Sequence, residues 1–355
     1  MRRRKPPRQV SMVEAAGLLS PRWPIAAAVV LALLIDRWLG EPSARWHPVV
    51  WMGYYLGWTG RHIAPLAPSP VWGQLGWGLT PYGESKNLKS FVLGTLAWWA
   101  GIAIILIVSC AVNSALQRLP GWAAALLLGI ALKPLLAWRM LQGEVLAVEA
   151  ALASSLAAGR AQLARLVSRD VSALSASEVR ESAIESLAEN LNDSVVAPVF
   201  WFALFGLPGA ALYRFANTAD AMWGYRGERG GRDWTWAGKW AARADDVLSW
   251  VPARITALLL ALTAGRWPCG LMTQARRTPS PNSGWPMAAM ALLLGVRLGK
   301  PGVYTLNASA REPAGVDVQR SAAAGARVVL MLAGIAALAG VLMTCGLFDS
   351  FGNRF

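Results

Sequence analysis

Three glutamates stand at four-residue spacing in ESAIESLAENLNDSVVAP, residues 181–198. On a helix, at about 100° per residue, these glutamates and Asn192 share one face, and apolar side chains occupy the other. Neighbouring glutamates at this spacing repel each other by about 0.2–0.5 kcal/mol per pair. The sequence has no lysine or arginine between Arg180 and Arg214. The compensating partner is therefore water, a metal ion, or arginines from elsewhere in the chain.

The residues around these glutamates predict a helix that carries a site. Ser175 followed by Glu178 predicts a capping box, in which each side chain satisfies a free backbone N–H at the helix start. Asn192 and Asp193 then follow at the entrance to an apolar stretch. A solvated helix face usually mixes lysine or arginine with glutamate, and this face does not. The pattern favours a metal-binding or substrate-binding surface; a solvated face stays the alternative.

A second polar stretch, residues 213–254, combines basic and acidic side chains. Guanidinium groups match phosphate oxygens, so its arginines are candidates for holding phosphates. Its carboxylates, among them the adjacent Asp245 and Asp246, supply the oxygen ligands that Mg²⁺ prefers. The combination is typical of a site for a magnesium–nucleotide or a phosphorylated substrate. The alternative is a set of surface ion pairs, each of little energetic value.

Two smaller features have two interpretations each. His47 precedes a proline, and a lone histidine in that setting is more often a structural hydrogen-bonding group than a base. Asn282, in the turn-rich PSPNSGWP, is suited either to capping the next helix or to contacting a ligand.

The sequence contains no GxxxxGK[ST] loop, Rossmann fingerprint, HExxH or GxSxG. A nucleotide would therefore bind by an arrangement that these motifs do not describe.

The elements that position these residues are predicted to be membrane helices. The chain of 355 residues is 55% hydrophobic and 15% charged, whereas soluble proteins average about 25% charged residues. Several apolar runs approach the roughly 20 residues that cross a bilayer. They are 91–116 and 328–348, and less clearly 24–39, 121–138 and 195–213. ITALLLALTAG and PMAAMALLLGV are too short to span alone, so we expect them to be re-entrant or packed inside a bundle.

We therefore predict an all-α fold: a polytopic helical membrane protein with about five to eight membrane-embedded helices and polar helical segments between them. The net charge of +14 comes from basic residues spread through the polar stretches, which favours cytoplasmic loops and lipid contact over nucleic-acid binding. We interpret residues 1–22 as a basic, disordered extension, 23–348 as one membrane-embedded enzymatic domain, and 349–355 as a short tail. The three cysteines fit neither a disulfide framework nor a zinc pattern.

Four longer motifs carry a family resemblance. The longest is SRDVSALSASEVRESAIESLAENLNDSVVAPVFWFALFGLPGAALYRFANTADAMWGYRGERG, and EPSARWHPVVWMG precedes it. AARADDVLSWVPARITALLL and SPNSGWPMAAMAL follow. Together they closely resemble the CobD/CbiB family of cobalamin biosynthesis, over roughly residues 30–345. Residues 1–22 lie outside the resemblance, and the match near NASAREPAGVDV is looser.

The resemblance implies a multi-pass enzyme of the cell membrane, adenosylcobinamide-phosphate synthase. Such an enzyme joins adenosylcobyric acid to (R)-1-amino-2-propanol or its O-phosphate through an amide bond and consumes ATP. We expect the carboxylate to be activated as an acyl phosphate, which calls for magnesium and cations around the phosphoryl group. The lipid bilayer and other proteins of the pathway are the further partners that this implies.

Side-chain chemistry, combined with this reaction, gives hypotheses for individual residues. Glu185 is the candidate base, and the cations of 226–254 together with magnesium are expected to offset the glutamate repulsion. The catalytic candidates are Glu185, Glu189, Asn192 and Asp193. The candidates for binding substrate or phosphate are His47, Asp220, Tyr225, Arg226, Glu228, Arg229, Arg254 and Asn282. The candidate magnesium ligands are Glu189, Asp193, Asp245 and Asp246. Trp46, Trp51 and Trp223 are candidates for packing against the corrin.

Two other function classes are compatible with parts of the sequence. A transporter would use charges inside apolar segments, such as Lys133 and Asp36. A non-catalytic membrane sensor is suggested by a distant resemblance to the AmpE-type regulators. Against the transporter, the densest polar motifs lie between the apolar runs and the sequence shows no inverted repeat. The full acidic helix and the Asp245–Asp246 pair favour the enzyme over the sensor.

Overall fold

The computed structural model describes residues 23–67 and 84–345. The described helices are α1 (Trp23–Leu39), α2 (Pro48–Ile63), α3 (Glu84–Leu116), α4 (Gly121–Leu132), α5 (Trp138–Ser154), α6 (Leu156–Leu163), α7 (Ala176–Leu191), α8 (Ala197–Trp223), α9 (Lys239–Leu248), α10 (Trp250–Ala264), α11 (Leu271–Ala275), α12 (Gly284–Leu294) and α13 (Gly315–Thr344). Two short hairpins pair β1 (Glu228–Arg229) with β2 (Arg232–Asp233), and β3 (Leu298–Lys300) with β4 (Tyr304–Leu306). The predicted all-α fold is confirmed. The predicted extension 1–22 and tail 349–355 lie outside the described residues.

Four continuous helical segments in the described ranges are long and apolar enough to cross a membrane. They are Leu88–Leu116, Gly121–Ser154, Ala176–Trp223 and Gly315–Thr344. A fifth forms if α9 and α10, bent by 46° at their junction, count as one span. Because helices of this length and apolarity need a hydrocarbon surrounding, the chain is a polytopic helical membrane protein.

The shorter apolar runs are packed against these segments. Helix α1 has 17 residues and lies against α4 and α13. Helix α12 is buried through Met287–Ala291 and packs on α10 and α7. The expectation that ITALLLALTAG and PMAAMALLLGV are re-entrant or packed inside the bundle fits this arrangement, since the first lies in the bent pair and the second in α12.

Helix α7, the acidic helix, lies near the centre of the bundle. It contacts α5, α6, α12, α13 and β3. Its apolar face, including Ile184, Leu187 and Leu191, is fully buried, and its polar face is largely buried as well. Glu181 is 3% exposed and Glu185 is 5% exposed. An ordinary solvated face is therefore excluded for these two glutamates, and their charges need partners in the interior of the bundle.

Two interruptions shape the long segment Ala176–Trp223. A π-helical turn, Asn192–Val196, joins α7 to α8. Further along, Gly206 has φ 65° and precedes Pro208, so α8 kinks there. A π turn adds a residue to the helical repeat and is frequent at functional sites. Here it contains Asn192 and Asp193, the two residues that the sequence placed after the glutamates.

Candidate functional site

The start of α7 sets the direction of the acidic face. The Glu178 N–H donates to Ser175 Oγ at 3.3 Å, and the Ser175 N–H donates to Glu178 Oε2 at 2.7 Å. The predicted capping box is thereby confirmed. A cap of this kind stabilises a helix by about 1 kcal/mol. It also fixes which side of α7 faces the interior.

Arginines from outside residues 226–254 neutralise the first two glutamates. Arg297 Nη2 lies 2.9 Å from Glu181 Oε1, and Arg297 Nε lies 3.2 Å from the same oxygen. Arg169 Nη2 lies 3.8 Å from Glu185 Oε2. The hydrogen bond to Glu181 raises the pKa of Arg297 above its ordinary value. The sequence assigned this compensation to the wrong segment, because both arginines come from loops whose position depends on the tertiary fold.

A small chamber of about 190 Å³ lies on one side of α7. Its wall combines the carboxylates of Glu185 and Glu189 with the cations of Arg169 and Lys300. Its other lining residues are Leu166, Val167, Ser168, Ser182, Ser186, Asn190, Met287 and Tyr304. Two buried atoms of residues in this wall, Glu185 Oε1 and Arg169 Nε, have no hydrogen-bond partner among the described residues.

Tyr304 closes the small chamber from strand β4. Its hydroxyl points at Met287 Sδ, 3.7 Å away. Burial, followed by the negative charges of Glu185 and Glu189, raises the pKa of Tyr304 above its ordinary value. Tyr304 therefore keeps its proton at neutral pH and is available as a hydrogen-bond donor.

A larger acidic chamber of about 480 Å³ opens beyond Glu189. Predicted site residues that line it are Glu189, Asn192, Asp193, Asp220, Tyr225, Arg226, Asp245, Asp246 and Asn282. The sequence placed these residues in three separate stretches, and the fold brings them to one cavity. Arg226 is the basic side chain among the residues that line it. The chamber is therefore rich in carboxyl groups, which favours a cationic or metal-bound ligand.

The π turn orients the acidic groups at the floor of this chamber. Asn192 Nδ2 donates to Asp193 Oδ1 at 2.8 Å, and Thr256 Oγ1 donates to Asn192 Oδ1 at 3.0 Å. Tyr213 Oη donates to Asp193 Oδ1 at 3.4 Å and lies 3.0 Å from Ser249 Oγ. Ser249 is the junction of the bent pair α9–α10. The chain of contacts therefore ties the π turn to the bend.

The loop before α12 forms the opposite wall. Asn282 is buried and donates from Nδ2 to the Asp246 carbonyl oxygen at 2.6 Å. Its Oδ1 accepts from Arg254 Nη1 at 3.0 Å. The cap of α12 is Ser283, which makes no side-chain capping bond, so the capping alternative for Asn282 is wrong. Asn282 instead holds the loop against α9.

Arg254 is engaged by protein groups. Its guanidinium lies 4.2 Å from the Trp250 ring centroid and 4.7 Å from that of Trp285. It also donates to the Trp250 carbonyl oxygen at 2.6 Å. Arg254 is absent from the lining of both chambers. The structure gives it a role in holding the Asn282 loop, and its predicted contact with phosphate stays a prediction.

Three further predicted binding residues lie away from both chambers. His47 is the residue before α2, and its Nε2 lies 3.1 Å from Glu41 Oε2. Glu228 and Arg229 are exposed on the β1–β2 hairpin, and Arg229 stacks on Tyr225 at 3.9 Å. The His47 geometry matches the structural interpretation of this histidine. The hairpin residues border the acidic chamber through Tyr225.

The three candidate tryptophans differ in their exposure. Trp46 is 66% exposed and Trp51 is 49% exposed, so both present surface to a partner or to lipid. Trp223 is 1% exposed, stacks on Trp234 and donates from Nε1 to the Leu56 carbonyl oxygen at 3.2 Å. The prediction that Trp223 packs against a ligand is wrong, since its ring is enclosed by the bundle.

The donor set of the acidic chamber suits magnesium. Among the described residues, no group of three or more His, Cys, Asp or Glu side chains forms a ready-made metal site. Magnesium bound with a nucleotide does not need one, because it usually takes one or two carboxylates and fills its remaining positions with phosphate oxygens and water. Glu189, Asp220 and Asp246 make no hydrogen bond or ion pair through their carboxylates within the described ranges, so their oxygens are free for such a ligand.

Sequence reasoning missed Arg169, Lys300 and Tyr304. Arg169 lies in the longest motif quoted above, but nothing in its local pattern separates it from a surface arginine. Lys300 and Tyr304 come from the β3–β4 hairpin, which reaches α7 only through tertiary packing. The sequence alone does not indicate which loop or strand packs against the glutamates, so it could not identify these three residues.

The sequence of the chain matches a known protein family. A model described as CobD/Cbib protein matches residues 29–332. The chain is 36% identical over 337 residues to the cobalamin biosynthesis protein CobD of Rhodobacter capsulatus, covering 91% of this chain and 96% of that one. It is 40% identical over 296 residues to the protein of the same name from Chromobacterium violaceum, covering 80% and 85%.

An archaeal relative extends the similarity. The probable cobalamin biosynthesis protein CobD of Methanothermobacter thermautotrophicus is 39% identical over 287 residues, covering 79% of this chain and 86% of that one. No solved structure matches the chain. The matched region contains both chambers and every described helix that lines them, and the chain belongs to the CobD/CbiB family of cobalamin biosynthesis proteins.

Proposed function

We propose that the chain is the membrane ligase that joins adenosylcobyric acid to (R)-1-amino-2-propanol or its O-phosphate, with ATP consumed. The observation that supports this most is the position of Glu189, which lines both chambers. A condensation of two substrates needs two binding spaces that meet at the reacting atoms. Glu189 stands at such a meeting point.

The reaction proceeds in two balanced steps. The corrin carboxylate oxygen attacks the γ-phosphorus of ATP, an O–P bond forms, and ADP leaves. The amine nitrogen then attacks the carbonyl carbon of the acyl phosphate, a C–N bond forms, the C–O bond to the phosphate breaks, and inorganic phosphate leaves with that oxygen. The nitrogen loses one proton, and a carboxylate at the site accepts it. Glu189 and Glu185 are both placed to do so, since both line the chamber next to the acids.

The acidic chamber is the proposed place of activation. Glu189, Asp193, Asp245 and Asp246 are the residues that would hold magnesium, which when bound neutralises phosphate charge and polarises the phosphoryl group. Arg226 lies among these acids and is suited to a phosphate oxygen. The corrin is too large for either cavity, so it is expected to lie across the chamber mouth, with only its reacting side chain inside.

The two charged residues that favoured a transporter, Lys133 and Asp36, are paired with protein groups. Lys133 Nζ lies 3.3 Å from Asp36 Oδ1 and 2.9 Å from Glu41 Oε1. The Arg139 N–H also donates to Asp36 Oδ2 at 2.9 Å. These charges neutralise one another in the interior and hold the junction of α4 and α5 against α1. They therefore have a structural role that needs no transported ion.

A direct assay tests the proposed reaction. Membranes that contain the protein are supplied with adenosylcobyric acid, magnesium–ATP and one of the two amines, and mass spectrometry detects the amide product. A product that requires protein, ATP and amine supports the ligase. The absence of product with either amine, from folded protein that binds the corrin, would contradict it.

A further inference from the structure

The small chamber is distinct in size and charge from the acidic chamber. At about 190 Å³ it is smaller than the roughly 300–1,000 Å³ of cavities that take drug-sized ligands, which excludes a corrin or a nucleotide. Its wall has carboxylates at the α7 side and cations on Arg169 and Lys300. A small molecule with a positive and a negative end matches this distribution.

Its charged groups are incompletely paired inside the protein. Arg169 and Glu185 approach only to 3.8 Å, and the buried atoms Arg169 Nε and Glu185 Oε1 have no hydrogen-bond partner among the described residues. Glu185 is 5% exposed. Buried polar groups are nearly always paired, so incompletely paired side chains in the wall of a cavity point to a ligand that completes their interactions.

Lys300 adds a cation that is not engaged elsewhere. It ends strand β3, and within the described ranges its ammonium makes no ion pair or side-chain hydrogen bond. Its charge acts on Glu185 and Glu189. Since Arg169 comes from the loop before α7 and Lys300 from the hairpin, the two cations reach the chamber from different elements.

We propose that the small chamber binds the amine substrate by both of its ends, with the ammonium at Glu185 and Glu189 and an O-phosphate at Arg169 and Lys300. The two cations then select the phosphorylated amine over the free amine. This assignment rests on the proposed ligase function. It places the amine nitrogen next to Glu189, where the acidic chamber begins.

Binding to the purified full-length protein in detergent tests the assignment. Isothermal titration calorimetry measures the Kd of 1-amino-2-propanol O-phosphate and of 1-amino-2-propanol. We expect the wild-type protein to bind the phosphorylated amine more tightly, and Lys300→Gln and Arg169→Gln each to raise its Kd at least tenfold. The Kd of the free amine should change less than threefold. Lys300→Arg, which keeps the charge, should restore most of the affinity.

The matched control is Arg118→Gln, an exposed arginine remote from both chambers that should change neither Kd. Lys300→Gln removes no intramolecular bond, so its effect is separable from the loss of the Arg169–Ser182 hydrogen bond in Arg169→Gln. Equal effects on both amines, or none on either, would overturn the assignment.

The amide assay separates this inference from the proposed function. If the wild-type protein binds the phosphorylated amine through Arg169 and Lys300 but forms no amide, the chamber assignment stands and the ligase proposal fails. If amide forms and neither variant shifts the preference between the two amines, the ligase proposal stands and the chamber assignment fails.

Discussion

At the residue scale, Glu189 differs from the neighbouring glutamates because its carboxylate is not paired with a cation of the described chain. Its neighbours Glu181 and Glu185 are paired with Arg297 and Arg169, whereas its carboxylate makes no ion pair within the described ranges. It faces a chamber on each side. A free carboxylate between two binding spaces is suited to accept a proton or hold a cation.

Glu189→Gln should therefore lower amide synthesis by about 100-fold or more, because a positioned proton acceptor contributes about 10²–10⁴ in rate. Mass-spectrometric product quantification measures the rate, and calorimetry should show the corrin still bound. Glu144→Gln is the matched control, because Glu144 pairs with the exposed Arg165 on the surface. Near-wild-type synthesis by Glu189→Gln would remove Glu189 from the reaction.

The Glu181–Arg297 pair gives a stability prediction. Arg297→Gln leaves a carboxylate that is 3% exposed without its cation, which should cost about 3 kcal/mol of unfolding free energy. The double variant Glu181→Gln with Arg297→Gln should recover most of this loss, since no buried charge is then unpaired. Thermal unfolding in detergent measures both variants. A single variant as stable as wild type would show that Arg297 does not neutralise Glu181.

At the scale of elements, the π turn and the bend between α9 and α10 meet at one place. Thr256 on α10 donates to Asn192, and Asn192 in turn holds Asp193. The orientation of Asp193 therefore depends on a neighbouring helix as well as on the turn. Because a π turn places side chains at angles that a regular helix does not offer, it needs such outside contacts.

Thr256→Val removes the hydroxyl and keeps the side-chain shape. We expect roughly a tenfold loss of turnover and a destabilisation of about 1 kcal/mol, since the buried Asn192 oxygen loses a donor. Thr263→Val on the same helix is the control, because within the described part of the chain the Thr263 hydroxyl bonds only to carbonyl groups of α10. Equal turnover in the two variants would show that Thr256 does not position the π turn.

Sequence reasoning succeeded where the signal was local. The capping box at Ser175 and Glu178, the apolar runs and the row of glutamates are each set by residues of one continuous segment. The origin of Arg169, Arg297 and Lys300 was not predictable, because their approach to α7 depends on how loops and hairpins pack. The four candidate magnesium ligands line one chamber, whereas Glu181, Arg229 and Arg254 do not line it. The enclosure of Trp223 was missed because a tryptophan pattern does not reveal which side is buried.

At the scale of the whole molecule, the charged site lies inside a bundle of apolar helices. Exposed apolar side chains such as Leu330, 72% exposed, and Ile107, 69% exposed, cover long helices that would aggregate in water. This exposure is explained if lipid surrounds the bundle. Glu185 and Glu189 of α7 are then shielded from lipid by the surrounding helices and face the chambers that they line.

The protein should therefore stay in the membrane pellet after an alkaline carbonate wash, because its long apolar helices are held by the hydrocarbon interior. Detergent should release it, and immunoblotting of pellet and supernatant measures the distribution. Recovery in the carbonate supernatant would indicate a peripheral association, and the helices would then be packed against protein.

The shared wall at Glu189 also has a thermodynamic consequence. A ligand in one chamber changes the charge that a ligand in the other chamber meets, so the two affinities are coupled. Linkage requires this coupling to be reciprocal. For the proposed ligands, the factor by which magnesium–nucleotide would alter the Kd of the amine equals the factor by which the amine would alter the Kd of magnesium–nucleotide. The two chambers would thus form a single cooperative unit, in which the binding of one substrate changes the affinity of the protein for the other.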